Sequence, residues 1–278
     1  PPSVSPKGDD AANRWADYRI EPTLKHMPYK YVTESPDYSD LASGRVFYSL
    51  PGHPAFPVRL ASEIFQRCLA SRKTIYHDST PCTLYDPCCG AAYHLSVLAY
   101  LHRENLQAHS GSDVDEKAAA LASQNLGLLG TAGLDQRIRE LSKLFELYQK
   151  SSHKEALASA AILRSRISAF SQEPPLITRV FQASAADRQA IIENVKAKSV
   201  DVVFTDIPYG QHSHWHGLDP SEATDPLKLM LDALMDVLSP SSIVAVVSDK
   251  LQKVSHPGFQ RVEQFQNGKR RAVILRPA

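Results

Sequence analysis

The residues best suited to chemistry are Asp206, Ile207, Pro208 and Tyr209, which follow an apolar run at residues 201–205. The amino group of a nucleobase or an amide has its lone pair in the π system, so an enzyme that reacts there must hold both hydrogens. The Asp206 carboxylate and the Ile207 carbonyl would be the two acceptors, and Pro208 would fix the backbone that aims the carbonyl. Tyr209 would offer a face for an extruded base to stack on. The alternative is a plain Asp-x-Pro turn followed by a core tyrosine.

A second candidate is the segment Asp86, Pro87, Cys88, Cys89 and Gly90. An apolar run before it and helical spacing after it indicate a strand, a tight turn and a helix. We expect Gly90 to let a ligand approach the backbone, an exposed Asp86 carboxylate to hold an ammonium group, and Pro87 and Cys88 to line the same turn. A turn that needs a glycine only for its backbone conformation is the competing explanation.

The next strand is expected to end at Asp113, where an acidic side chain commonly accepts both hydroxyls of a ribose. Asp115, two residues on, could bind the same cofactor or cap the following helix. Farther along, Ser184 or Asp187 would have to substitute for the acid usually found beside an adenine amino group. A glycine-containing turn followed by an acid predicts an adenosine-containing cofactor. This pattern does not by itself separate S-adenosylmethionine from a nicotinamide dinucleotide, but the missing Gly-x-Gly-x-x-Gly weighs against the dinucleotide.

The elements that must position these residues are alternating strands and helices, which predict an α/β fold with a mostly parallel sheet and helices on both faces. Two last apolar segments, joined through Asn267 and Gly268, predict a terminal antiparallel hairpin. Residues 1–40 are expected to form an N-terminal arm that lies over the surface or is partly disordered, and residues 41–278 one domain. Two long amphipathic segments predict a helical insertion at about residues 131–172. The strand near residues 106–110 has the weakest pattern, and helices are expected near residues 185–196 and 226–238.

Composition narrows the class of protein. The 278-residue chain is 43% hydrophobic and carries 31 basic and 30 acidic side chains, a net charge of +1. This balance is typical of a globular protein. No apolar run is long enough for a membrane span, and the four cysteines do not form a disulfide framework. We expect a cytoplasmic monomer that does not bind membranes. If the partner is nucleic acid, folding must gather the basic side chains around Asp206.

Three histidines, His212, His214 and His216, could suggest zinc, yet no further cysteine or acidic ligand lies close by in the sequence. We favour a substrate-facing loop and expect no metal. In that loop, His214 and Trp215 would contact RNA.

Several motifs together resemble the avilamycin-resistance 23S rRNA methyltransferase family, AviRa. The Asp206 segment is similar to the (Asp/Asn)-Pro-Pro-(Tyr/Phe) box of methyltransferases that act on amino groups of bases. More specific are the run Gly52-His53-Pro54-Ala55-Phe56-Pro57-Val58-Arg59-Leu60, the double cysteine in Asp86-Pro87-Cys88-Cys89-Gly90, Ser112-Asp113-Val114-Asp115 and His214-Trp215.

The resemblance implies a Rossmann-like enzyme that uses S-adenosylmethionine to methylate a guanine of 23S rRNA in the large ribosomal subunit. The exocyclic amine N2 is the expected atom, and antibiotic resistance is a possible role. Arg59 and Phe56, within the long run, are expected to contact RNA. Weaker candidates are Lys25, Lys30 and Arg45.

Two departures from the family pattern leave alternatives open. The family-type turn continues Gly-Ser-Gly, whereas here it is Gly90-Ala91-Ala92. In addition, the acid usually found beside the adenine amino group is missing. An alanine at a left-handed position costs about 1 kcal/mol, which would weaken cofactor binding. A non-catalytic RNA-binding or assembly protein on a degenerate methyltransferase scaffold is therefore one alternative. A methyltransferase that acts on adenine or on a protein glutamine is another.

Overall fold

The computed structural model describes residues 29–50, 55–170, 174–208 and 225–278. The helices are α1 (Val58–Tyr76), α2 (Tyr93–Leu101), α3 (Glu116–Gly127), α4 (Thr131–Tyr148), α5 (Ser151–Ala169), α6 (Arg188–Asn194) and α7 (Pro226–Leu234). The strands are β1 (Cys82–Asp86), β2 (Leu106–Asp113), β3 (Ile177–Gln182), β4 (Val200–Asp206), β5 (Leu238–Asp249), β6 (Phe259–Asn267) and β7 (Arg270–Pro277).

All seven strands form one sheet in the order β3-β2-β1-β4-β5-β7-β6. The first five in that order are parallel, while β7 runs antiparallel to β5 and to β6. From β1 the sheet is extended first through β2 and β3 on one side and then through β4 and β5 on the other. The topological switch point therefore lies between β1 and β4. The predicted Rossmann-like α/β fold with a terminal antiparallel hairpin is confirmed. In such sheets ligands bind beyond the carboxyl ends of the strands at the switch point.

Alternation along the central strands places apolar side chains on both faces of the sheet. Val202 and Phe204 pack with α1 and α2 on one face, while Val203 packs with α6 and α7 on the other. A strand that is buried on both sides needs a continuous apolar run, which explains residues 202–204. The sheet is therefore rigid where Asp206 leaves it.

Most predicted elements are present, with shifted ends. The weakly patterned strand exists as β2 and reaches Asp113. The helix expected at residues 185–196 is only Arg188–Asn194, because the Asp187 side chain caps it by accepting from the Ala190 amide at 3.0 Å. The helix expected to run to Leu238 ends at Leu234, since Leu238 already pairs with Val200 as the start of β5.

Helices α4 and α5 lie where the sequence predicts an insertion and pack against each other. Their buried residues Leu134, Leu141 and Leu163 share an apolar cluster with Tyr93 and Val97 of α2. Helix α2 thus packs against α4 and α5 as well as against the sheet. For this reason nearly every side chain of α2 is buried, although an ordinary amphipathic helix exposes one face.

The segment before α1 is held against it by one buried carboxylate. Glu63, which is fully buried, accepts hydrogen bonds from the backbone amides of Lys30, Tyr31 and Val32 at 2.6–2.8 Å. The Arg67 guanidinium, one helical turn on, neutralises it at 2.7 Å. None of the helices in the described part of the chain is long and apolar enough to cross a membrane.

Candidate active site

The predicted site residues leave three neighbouring strands at one edge of the sheet. Asp86 ends β1, Asp113 ends β2 and Asp206 ends β4. Because β2, β1 and β4 are adjacent and parallel, their carboxyl ends lie side by side. The structure therefore brings together the three carboxylates that the sequence placed in one site. We call this the carboxyl edge of the sheet.

The turn after β1 leaves room beside its backbone. Gly90 has φ +52°, and a Cβ built there would meet nothing within 4 Å. The turn also lies tightly against β2, since a Cβ on Gly111 would come within 2.8 Å of the Cys89 side chain. Open space next to a glycine backbone supports the expectation that a ligand approaches here. The same observation fits a cofactor that binds along this turn.

Ala92 also has φ +52°, so the strain anticipated from the sequence is present. Its cost is about 1 kcal/mol relative to glycine. The residue is fully buried and packs in the apolar cluster under the sheet. Its methyl group therefore projects into the core and not into the open space by Gly90. The departure from the family pattern affects the stability of the turn more than the access of a cofactor.

The sequence predicts an exposed carboxylate at Asp86, and this prediction is wrong. The side chain is fully buried. Its Oδ1 accepts from the Cys88 amide at 3.0 Å, and its Oδ2 lies 3.1 Å from Nε2 of His94 on α2. Burial of an unpaired carboxylate is costly, and the protonated form of His94 would supply the positive charge that the sequence assigned to an outside ammonium group. Asp86 shapes the turn and is not free to hold a ligand directly.

His94 is a site residue that sequence reasoning missed, because its helical spacing marked it as one of a series of core positions. Burial alone would lower its pKa, but the charge and hydrogen bond of Asp86 outweigh that effect and raise the pKa above its ordinary value. The imidazole packs against Phe204 and Phe56, with ring centroids 4.9 and 5.7 Å away. The His94 side chain thereby connects the turn after β1 with β4, the strand that ends at Asp206.

Asp113 accepts a hydrogen bond from the turn after β1 through one oxygen and from the residue that caps α3 through the other. Oδ2 accepts from the Gly90 amide at 2.8 Å and Oδ1 from the Asp115 amide at 3.0 Å. Burial raises its pKa in spite of these hydrogen bonds. A carboxylate has about four acceptor positions, so two are left for the hydroxyls of a ribose. Asp113 thus fits the predicted role and also holds the glycine turn in place.

The other predicted cofactor residues have local partners. Asp115 caps α3 by accepting from the Lys117 amide at 2.8 Å, the capping alternative that the sequence left open. Ser184 follows β3 next to this loop, and its hydroxyl accepts from the Ala186 amide at 3.3 Å. Pro87 is buried, and Cys88 is partly exposed in the turn. Burial raises the pKa of the Cys88 thiol well above its ordinary value, so it is not an active thiolate.

The Asp206 segment leaves the sheet through a fixed backbone. The Ile207 amide donates to the Val247 carbonyl at 3.0 Å, and the Ile207 side chain is buried. Asp206 is partly exposed, with 24% of its side-chain surface accessible. Pro208 is the last described residue before the gap. Tyr209, His214 and Trp215, and with them the three-histidine segment, lie outside the described residues.

A second residue that the sequence did not reveal is Arg270, at the start of β7. Its Nε lies 3.9 Å from Oδ2 of Asp206, and its guanidinium lies 5.4 Å from the centre of the Phe56 ring. Arg270 comes from the far end of the chain, so no spacing relates it to Asp206. The β7 strand brings it there because its first residue pairs with Asp249, the last residue of β5.

The residues expected to contact RNA are used within the protein. Phe56 is only 5% exposed and packs edge-on against Phe204. The Arg59 guanidinium donates to the Val32 and Thr33 carbonyls and covers the Tyr29 ring. These contacts argue against direct RNA contacts for Phe56 and Arg59, since burial and backbone carbonyls already satisfy them. Lys30 and Arg45 form ion pairs with Glu263 and Glu155, and Lys25 lies outside the described residues.

No group of three or more histidine, cysteine or acidic side chains that could hold a metal ion occurs among the described residues. The site is instead an arrangement of carboxylates with one imidazole and one guanidinium. The free space at Gly90 and the remaining acceptor capacity of Asp113 fit S-adenosylmethionine. The base half of the site would face Asp206 and Arg270.

Comparison with known proteins agrees with this geometry. A family model described as "RRNA methyltransferase AviRa" matches residues 27–270. A protein of Streptomyces viridochromogenes named "23S rRNA (guanine(2535)-N(1))-methyltransferase" is 40% identical over 250 residues, which cover 90% of this chain and 96% of that protein.

Solved structures give the same result. Two crystal structures of the rRNA methyltransferase AviRa from Streptomyces viridochromogenes superpose with TM-scores of 0.76 and 0.77 at 39% identity. They cover 88% and 89% of this chain, and 95% and 96% of theirs. The family resemblance predicted from the sequence is confirmed, and the chain belongs to the AviRa family of rRNA methyltransferases.

Proposed function

We propose that this protein transfers the methyl group of S-adenosylmethionine to ring nitrogen N1 of a guanine in 23S rRNA. The observation that carries the proposal is the relative that is 40% identical over 90% of the chain, whose name gives guanine N1 of 23S rRNA. The position of Asp206 beside Arg270, next to the Gly90 turn and Asp113, supports it. Antibiotic resistance, a monomeric state and a cytoplasmic location stay predictions.

The choice of N1 changes the atom that the sequence favoured. The Asp206 segment indicated the exocyclic amine N2, while the name of the relative specifies N1. Both atoms lie next to each other on the same edge of guanine, and each carries hydrogen. The Asp206 carboxylate and the Ile207 carbonyl would then accept from N1–H and N2–H instead of from two hydrogens on one nitrogen.

Asp206 has a second task in N1 chemistry. When bound, S-adenosylmethionine supplies an electrophilic methyl group. N1 of guanine carries a hydrogen, and this proton must leave if the methylated base is to be neutral. The partly exposed carboxylate of Asp206 is placed to accept it and pass it to water. Most of the remaining rate enhancement would come from positioning, because the transfer needs the nitrogen aligned with the methyl carbon.

Arg270 would recognise the neighbouring oxygen. Guanine presents an acceptor, O6, directly beside the N1–H donor. The Asp206 and Arg270 side chains offer an acceptor and a donor whose atoms are 3.9 Å apart. Adenine presents a donor at that position and an acceptor at N1, so it would have to bind with the pair reversed. The pair therefore favours guanine.

The test is to incubate the protein with tritium-labelled S-adenosylmethionine and, in parallel, protein-free 23S rRNA, large ribosomal subunits, tRNA, DNA and bulk protein. We expect label in 23S rRNA, in a fragment whose mass increases by one methyl group. Primer extension separates the two atoms, because methylation at N1 blocks Watson–Crick pairing and stops the reverse transcriptase. Methylation at N2 leaves pairing possible.

Other outcomes identify the alternatives. Read-through with a methylated guanine would move the assignment to N2. Label in adenine or in protein glutamine would replace the substrate. Calorimetry that detects no binding of S-adenosylmethionine or its demethylated product would favour a non-catalytic RNA-binding protein. The burial of the Ala92 methyl group removes one of the two observations that motivated this last alternative.

A further inference from the structure

Two chain segments lie side by side at the carboxyl edge, next to Asp206. One is the loop after β5, and the other is the turn between β6 and β7. Asp249 and Arg270 are paired in the sheet, and the Lys250 amide donates to the Lys269 carbonyl at 3.1 Å. The folded chain thereby gathers one set of basic side chains, which we call the hairpin basic surface: Lys250, Lys253, Lys269, Arg270 and Arg271.

This surface is strongly positive in a chain that is nearly neutral. Residues 249–254 and 267–272 contain these five basic side chains and one acidic side chain, Asp249. The Asp249 carboxylate is engaged by the Leu251 amide at 2.8 Å. Since the whole chain has a net charge of only +1, a local excess of this size must be balanced by acidic side chains elsewhere. Pairing in the sheet thus places two short basic segments side by side, as a nucleic-acid partner would require.

The three lysines are available for a partner. Lys250, Lys253 and Lys269 are exposed, and no ion pair between described residues involves them. By contrast, Lys30 and Arg45, which the sequence suggested for RNA binding, are paired with acidic side chains. An ammonium group without a carboxylate nearby is free to replace the counterions of a phosphate.

The surface is fixed relative to Asp206. The Arg271 guanidinium donates to the Gln252 carbonyl, which ties the loop to the hairpin. Arg270 faces inward toward Asp206, while the lysines face solvent. Between Lys250 and Lys253 the Leu251 side chain is 84% exposed, an apolar group that could pack on a ribose or a base.

We propose that the hairpin basic surface binds the phosphates of the RNA strand that flanks the target guanine. The inference rests on the proposed function and adds the surface by which the substrate is held. RNA is favoured over an acidic protein or a lipid surface because the positive charge borders the Asp206 site, where a base must enter. A strand whose base is held at Asp206 has its neighbouring phosphates within reach of this edge.

The experiment compares two triple variants that remove the same charge. Lys250→Gln, Lys253→Gln and Lys269→Gln neutralise the surface. Lys143→Gln, Lys154→Gln and Lys196→Gln remove three other exposed lysines, on α4, on α5 and before β4. Binding of an rRNA fragment that contains the methylated site is measured by fluorescence anisotropy between 50 and 200 mM salt. Methyl transfer to the same fragment gives KM and kcat.

For the hairpin variant we expect RNA affinity to fall on the order of tenfold or more, with the loss appearing in KM. The slope of log K against log salt should become shallower by about 0.7 to 0.9 for each phosphate contact removed. Calorimetry should show unchanged affinity for S-adenosylmethionine, which verifies that the variant is folded. The control variant should bind RNA as the wild type does.

The outcomes separate the two proposals. If the wild type methylates rRNA and the hairpin variant keeps its RNA affinity and salt slope, the surface does not bind RNA and this inference is overturned. Equal losses in both triple variants would overturn it as well, because they would show an effect of net charge alone. If the wild type methylates no RNA but binds vesicles of anionic lipid through these lysines, the proposed function fails and the surface has another partner.

Discussion

At the amino edge of the sheet, where β1, β4 and β5 begin, charged side chains are paired with each other, whereas at the carboxyl edge Asp113, Asp206 and Arg270 are partly exposed. Arg72, which is almost fully buried, contacts the Asp78 carboxylate at 2.5 Å and the Thr80 carbonyl at 3.1 Å. Asp201 accepts from the Thr83 amide and the Ser239 hydroxyl at 2.9 and 2.8 Å. Ion pairs and side-chain hydrogen bonds thus tie the strand beginnings together.

The carboxyl edge contains the same residue types in a looser arrangement. Asp206 and Arg270 are 3.9 Å apart, too far for a hydrogen bond, and both are partly exposed. Asp113 retains acceptor positions after its two backbone contacts. Only Asp86, paired with His94, resembles the amino edge. The difference teaches that residue type does not identify a site. Partial exposure of charged side chains at a strand end is the better indicator.

The largest effect should come from the carboxyl edge. Replacing Asp206→Asn removes the acceptor of the N1 proton, so methyl transfer to rRNA should fall by about 100-fold or more. Affinity for S-adenosylmethionine, measured by calorimetry, should stay within a few-fold, since Asp206 is assigned to the base. Asp232→Asn, on α7, serves as a carboxylate-to-amide control with normal activity. Parallel loss of cofactor binding in the Asp206 variant would show that the segment is structural.

At the amino edge the expected effect is on stability instead of on transfer. Hydrogen bonds from Thr80, together with Arg72, lower the pKa of Asp78 from 3.8 to about 2. Asp78→Asn should therefore reduce the free energy of unfolding by about 2 kcal/mol at pH 7, because buried Arg72 loses its partner. A lowered pKa stabilises the fold above pH 4, and this contribution disappears as the pH falls toward 2.

Urea unfolding at pH 7 and at pH 2.5 checks this prediction, with the exposed pair of Asp135 and Arg164 as the comparison. Asp135→Asn should cost much less, because solvent screens that pair. A constant difference between the Asp78 variant and the wild type across this pH range would contradict the linkage.

The contribution of the buried Asp86–His94 pair to stability should show the opposite pH dependence. The pKa of His94 is raised above 6.5 by Asp86, so the pair stabilises the fold fully below that value and loses its effect as the pH rises through the raised pKa. His94→Gln should cost on the order of 1–2 kcal/mol at pH 6 and less at pH 9. Thermal unfolding across this range, with His153→Gln as a surface control, measures it. A gap that widens with pH would reverse the assignment.

The smallest effect is expected at Ala92. Ala92→Gly relieves a left-handed alanine, worth about 1 kcal/mol, but it also removes a buried methyl group of about the same value. Stability should change by less than about 0.5 kcal/mol, and the affinity for S-adenosylmethionine by less than about twofold. A large gain in cofactor affinity would mean that the methyl group obstructs the ligand and that the core packing of Ala92 does not describe its role.

Much of the fold could be predicted because local patterns carry it. The alternation of strands and helices, the terminal hairpin and the three carboxylates at strand ends follow from hydrophobic periodicity and turn residues. Helix ends were less accurate, as for α6 and α7, because caps and the start of a neighbouring strand decide them. Phe56 and Arg59 were expected to contact RNA but make contacts within the protein, since a motif does not show whether its side chains face inward.

The sequence by itself determined the fold class, the family and the choice of Asp206 and Asp113 as candidate site residues, because each follows from short motifs of neighbouring residues. Only the tertiary structure decided that Asp86 is paired with His94, that Arg270 borders Asp206 and that five basic side chains form one surface. These contacts join residues from separate elements, and pairing within the sheet and packing across it bring them together. Burial and electrostatic pairing depend on three-dimensional distance, which sequence spacing does not contain.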